Sequence, residues 1–139
     1  MRRFTISPAE KEKVRERLRT ALQVREEILF AYLHGSFLLD VPFEDVDVAV
    51  YLREDAHELQ DSLHYAFQLA DALESQLGLP VDVQVLNRAP RGMQFTATTG
   101  ELLLCRDEEF RYLFLERLWL DIMDFDYHVR QMLKEAFEA

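Results

Sequence analysis

The stretch DVDVAVYL, residues 45–52, alternates strictly, and VDVQVLN, residues 81–87, does so again after a helix-length interval. A period of two belongs to an extended strand, whose successive side chains leave opposite faces. Val46, Val48, Val50 and Leu52 therefore share one face, and Asp45, Asp47, Ala49 and Tyr51 the other. In the second stretch Val81, Val83 and Val85 turn one way, with Asp82 and Gln84 the other. Each strand must bury its valines against something, and each carries carboxylates at the start of its opposite face. Those two demands constrain the chain more than any other feature.

The rest of the chain supplies the covering elements. Ser7, Pro8 and Glu10 make a capping-box start for a helix over about 8–25. EILFAYLH, 27–34, is a short apolar run of the length of a buried strand. From about 56 to 77 apolar residues recur at helical spacing (Leu59, Leu63, Ala66, Phe67, Ala70, Leu73, Leu77), with Gly78 as C-cap and Pro80 as stop. A shorter helix over 90–98, a strand in ELLLCR and a long helix over 107–137 complete the order. Helices and strands in this order predict an α/β or α+β domain, a small mixed sheet covered by helices. At 139 residues the chain is long enough for one domain over 1–139 and too short for two ordinary ones.

Composition excludes several function classes. A net charge of −10 with only three lysines argues against broad nucleic-acid binding, which needs clustered Lys and Arg. No apolar run approaches the ~20 residues of a membrane span. No basic segment precedes an apolar one at the start, so no secretory signal is expected. The single cysteine, Cys105, has no partner for an internal disulfide, reads as a small buried hydrophobe, and fits a cytoplasmic setting. His34 reads as a core residue, while His57, His64 and His128 show no metal-ligand spacing. Arg88 and Arg91 read as solvated loop residues.

Asp45 and Asp47, two residues apart on one face, lie ~7 Å apart along the strand. Two close carboxylates without a counter-charge raise each other's pKa. A hard divalent cation, Mg²⁺ or Mn²⁺, resolves that conflict. If the second strand is a neighbour with a matching face, Asp82 joins them, and three carboxylates suit a two-metal phosphoryl-transfer site. The alternative for the pair is a solvated strand start, or edge charges that oppose aggregation. Calcium binding of the EF-hand kind is not expected, because the loop pattern is missing. Gly35-Ser36 follows the first apolar strand, where a glycine allows close backbone approach and a serine can offer its hydroxyl and N–H to phosphate.

Together, GSF…DVDVAV followed by VDVQVLN resembles the minimal nucleotidyltransferases (MNT) of the DNA polymerase β superfamily. VLNRAP, GELLLCRDEEFR and LDIMDFDYHVRQML are similar to the layout of the MNT antitoxins, so the resemblance spans most of the chain. It implies a nucleotidyltransferase-like fold, with Gly35 and Ser36 at the nucleotide triphosphate, ATP. Asp45 and Asp47 would bind two Mg²⁺ ions, and Asp82 would complete the metal and catalytic site and help deprotonate the attacking hydroxyl. The implied activity is transfer of a nucleoside monophosphate to a hydroxyl with release of pyrophosphate. The implied partner is a HEPN-domain ribonuclease toxin, adenylylated by its antitoxin. The alternative is a non-catalytic antitoxin that neutralises by binding, with a vestigial nucleotide site. The chain departs from the family pattern between Ser36 and Asp45, where eight residues beginning FLLD stand in place of a longer, glycine-containing segment.

The last helix carries two apolar stripes: Phe110, Phe114, Leu118, Ile122, Phe125 and Val129, and then Tyr112, Leu115, Trp119, Met123 and Tyr127. One stripe suffices to dock on a sheet. The second is either sunk in the core or offered to a partner, the toxin or a second copy of the chain.

Overall fold

The structure is a computed structural model and describes residues 2–138. The chain runs α1 (Pro8–Gln23), β1 (Ile28–His34), β2 (Val46–Leu52), α2 (Ser62–Leu77), β3 (Val81–Val85), α3 (Arg91–Thr98), β4 (Glu101–Cys105) and α4 (Glu108–Glu138). One-turn 3₁₀ segments at Ser36–Leu38 and His57–Asp61 precede β2 and α2. The Ser7 hydroxyl accepts the Glu10 N–H at 3.1 Å at the start of α1. Gly78 ends α2 in the left-handed conformation.

The four strands form one mixed sheet in the order β3-β2-β1-β4. β1 is antiparallel to both β2 and β4, and β2 is parallel to β3. A parallel pair needs a crossover, and α2 supplies it. Val46 stands opposite Val81 and Asp47 opposite Asp82. The valine faces of both strands thus turn together to one side, and the aspartates to the other.

The valine side carries the larger core. Val46, Val48, Val50, Val81 and Val83 pack there with Leu18 and Leu22 of α1 and Leu69 and Leu73 of α2. On the opposite side Phe30, Tyr32, Ala49 and Tyr51 meet Ala97 of α3 and Phe110 and Phe114 of α4. Phe30 stacks on Tyr51 with ring centroids 4.9 Å apart, and Phe114 closes on both. This second layer covers only part of its face. It leaves the end that carries the aspartates without a helix core above it.

Three expectations change in detail. The segment before α2 opens as a 3₁₀ turn, and within α2 Leu63 and Phe67 are exposed, so the buried stripe is narrower than the spacing implied. Leu118 is the one buried residue of α4; Phe125, Met123 and Tyr127 are exposed, so neither stripe is sunk in the core along its length. Arg91 is a strut rather than a loop residue: its guanidinium bonds Asp121 of α4 at 2.7 Å and Gln94 at 2.9 Å.

Candidate functional site

The uncovered end of the sheet gathers the aspartates. Asp47 lies in β2, Asp45 one residue before it, and Asp82 opposite Asp47 in β3. One carboxylate oxygen from each lies within 4.8 Å of the other two. The convergence follows from register: parallel neighbours put equivalent positions of the two strands side by side on the same face.

The electrostatics are unfavourable without a cation. Burial, then Asp45, pushes the Asp47 carboxyl up to about 6, against the pull of His34 and of the nearby Gln84 amide. Asp45 is also raised, by burial first and then by Asp82 and Glu44. Three hard oxygen donors at this spacing, two of them holding protons more tightly than an ordinary carboxylate, could hold a divalent cation.

Gly35 belongs to this geometry. Its φ is +83°, and a Cβ built there would stand 2.2 Å from Asp47 Oδ2. No side chain fits, so a glycine at the end of β1 is what lets Asp47 point where it does. Ser36 begins the following turn and borders an open pocket of about 410 Å³ together with Arg3, Pro42, Glu44 and Asp45.

The FLLDVPFE segment between Ser36 and Asp45 is anchored from within. Phe37 and Phe43 are buried with rings 5.0 Å apart, and Lys11 donates to the carbonyls of Phe37 and Leu39 at 2.7 and 2.9 Å. The short loop is therefore held against α1 by two aromatic side chains and one ammonium, in place of glycines.

The structure adds residues that the motif did not single out. His34 is buried on β1 directly opposite Asp47, and its Nε2 lies 2.8 Å from Gln84 Oε1. Gln84 in turn donates to Asp82 Oδ2 at 2.7 Å. Arg3 reaches the pocket because Phe4 pairs with Phe43 as an isolated bridge, which lays the N-terminal segment along the loop. The signal for Arg3 was a basic pair at the start of an acidic chain; for Gln84 it was the same alternation that placed Asp82. His57, His64 and His128 are exposed and far from forming any cluster with Cys105, which is half-buried beside α4.

Comparison with known proteins bears on the fold and the family. No curated protein sequence matches the chain. Among solved structures, that of a tri-AMPylated Shewanella oneidensis HEPN toxin in complex with MNT antitoxin is similar at 20% identity and a TM-score of 0.58, over 94% of this chain and 98% of the matched one. A toxin–antitoxin structure with AMP-PNP is similar at 19% identity and a TM-score of 0.66, over 90% and 98%. The toxin–antitoxin MntA-HepT is similar at 19% identity and a TM-score of 0.59, over 96% and 100%. At such identities the likeness is one of fold. The sequence model of the polymerase beta nucleotidyltransferases matches residues 16–109. That span runs from α1 to the start of α4 and includes Gly35, Ser36 and all three aspartates, and the chain belongs to the polymerase beta nucleotidyltransferase family.

Proposed function

We propose that the chain is a Mg²⁺-dependent nucleotidyltransferase that moves AMP from ATP onto a hydroxyl of a HEPN-domain toxin, and acts as its antitoxin. The observation that carries this reading is the convergence of Asp45, Asp47 and Asp82 within 4.8 Å at the uncovered end of the sheet. The fold shared with structures of HEPN toxin–MNT antitoxin complexes, one of them tri-AMPylated on the toxin, supports the choice of partner and of adenylate.

Asp45 and Asp47 would hold two Mg²⁺ ions with Asp82, and the ions would supply the charge that the triphosphate and the developing pyrophosphate need. Gly35 brings the backbone close, and Ser36 and Arg3 line the pocket where phosphates would lie, Arg3 with its Nε 3.8 Å from Glu44. The attacking hydroxyl oxygen forms a bond to the α-phosphorus as the bond from that phosphorus to the bridging oxygen breaks. Pyrophosphate leaves with the electron pair, and the hydroxyl proton passes to the Asp82 carboxylate. Asp82 is the exposed member of the three, so an incoming protein hydroxyl can reach it.

Partner binding falls to α4. Tyr112, Met123, Phe125 and Tyr127 are exposed, and Trp119 is half-exposed with its ring against Phe95 of α3. Aromatic and methionine side chains of this kind are favoured at interfaces. The same surface underlies a second reading, neutralisation of the toxin by binding alone.

The test is the intact mass of a purified HEPN-domain partner after incubation with this chain, ATP and Mg²⁺. The partner gains the mass of one or more adenylates with the native chain and none with Asp47→Asn. An unchanged mass with a neutralised partner favours the second reading. Trp119→Ala weakens the complex in light scattering and leaves nucleotide binding intact; an unchanged complex removes α4 from the interface.

A further inference from the structure

His34 poses a question that metal ligation by the aspartates does not answer. It is 7% exposed, polar, and placed opposite Asp47 where an apolar residue would satisfy the core. Its Nε2 lies 2.8 Å from Gln84 Oε1, and Gln84 Nε2 lies 2.7 Å from Asp82 Oδ2. An ionised carboxylate only accepts, so the amide must turn its NH₂ toward Asp82. Its carbonyl oxygen then faces His34, and His34 Nε2 must carry a hydrogen.

The bonds therefore run in one direction: His34 donates to Gln84, and Gln84 donates to Asp82. The path from β1 to β3 passes over β2, where Ala49, the neighbour of Gln84, leaves room beside Asp47. His34 is itself clamped. A Cβ on Gly100, in the turn from α3 to β4, would stand 2.1 Å from the Leu33 carbonyl oxygen and 3.0 Å from His34 Cβ. The turn thus presses on the backbone that carries the imidazole.

We propose that His34 and Gln84 are positioning residues that fix the rotamer of Asp82 beside Asp47 before a divalent cation arrives. This rests on reading the three aspartates as a cation site. Hydrogen-bonding partners behind metal ligands commonly change metal affinity about 10–100-fold when removed. Neither His34 nor Gln84 touches the nucleotide in this account.

The probe is Mn²⁺ alone, with its dissociation constant read from the free-ion electron paramagnetic resonance signal. Gln84 is only partly buried, so Gln84→Leu tests the relay without a core change. It weakens Mn²⁺ binding about 10-fold or more. His34→Phe, which keeps a ring and loses the donor, weakens it to a similar degree, and the double variant is no worse than Gln84→Leu alone, because His34 acts through the amide. His34→Gln, which returns an N–H at comparable reach, restores binding. Unchanged affinity in the single variants, additive losses in the double, or no rescue by His34→Gln overturns the proposal. A native chain that binds no Mn²⁺ overturns it together with the cation site. Coupled losses in a chain that never adenylates a partner uphold the relay and count against the proposed function alone.

Discussion

The side of the sheet that faces α3 and α4 is one surface with two ends. At one end Phe30, Tyr51, Phe110 and Phe114 stack under the helices. At the other, reached along the same strands, stand His34, Asp47, Asp82 and Gln84. β2 alternates from one end to the other, while β1 is irregular at Ile28–Phe30, where Leu29 and Phe30 both join the aromatic layer; the cover changes as well. Aromatic rings at the covered end hold α4 in place, and the helix layer stops where the carboxylates begin. A rigid, apolar half thereby holds an open, acidic half at fixed register. A candidate site carried on a scaffold in this way predicts that damage to one end spares the other.

The largest effect belongs to the acidic end. Asp47→Asn lowers the rate of adenylate transfer on the order of 10³-fold, and Asp40→Asn, in the exposed loop, leaves it unchanged; initial rates with labelled ATP check both. Next is the covered end. Phe30→Ala removes a fully buried ring and costs about 3–5 kcal/mol in denaturant unfolding, while the Mn²⁺ dissociation constant stays within threefold of native. A tenfold change there would show that the ends are coupled, and would break the comparison.

Gly35→Ala sharpens it. Its backbone, φ +83° and ψ −165°, lies in a region essentially confined to glycine and alone costs about 1–3 kcal/mol, and the methyl must displace Asp47. Mn²⁺ binding therefore weakens far more than stability does, the reverse of Phe30→Ala; calorimetric titration beside a melting curve reads the two. The smallest effect is a pH dependence. The folded Asp47 carboxyl is raised to about 6, so its proton favours the folded state. That contribution is complete below the unfolded value near 4 and is lost as pH rises through about 6. Asp47→Asn lacks the charge. Without divalent cations, it melts with the native chain at pH 4 and a few degrees above it at pH 7.5. Equal melting temperatures at both values would remove the electrostatic penalty.

The strands and the faces of their carboxylates were legible because alternation and capping are local. The alternation marked the faces of Asp45, Asp47 and Asp82, and Ser7 and Gly78 bounded their helices where the structure bounds them. Register was not legible. Whether Asp82 meets Asp47 depends on β3 running parallel to β2 after the α2 crossover, and His34 meets Asp47 only through antiparallel pairing of β1. Both are non-local. His34 is buried as its apolar neighbours Tyr32 and Leu33 predicted; the same limit hid its partner Gln84, which seemed only a polar face position. Arg3 was hidden by distance: 42 positions separate it from Asp45, and the Phe4–Phe43 bridge closes that gap. The unusual FLLD turn gave no local sign that Phe37 and Phe43 would hold the loop in the manner of a small core.

One measurement tests the central claim most directly. The native chain is incubated with Mg²⁺ and a HEPN-domain partner, with ATP labelled in parallel reactions at the α- or the γ-phosphate. The acidic end, acting as a nucleotidyltransferase site, puts the α label on the partner and releases the γ label in pyrophosphate, and Asp47→Asn abolishes the transfer. A γ-labelled partner, an unlabelled one, or equal α labelling by Asp47→Asn would contradict it.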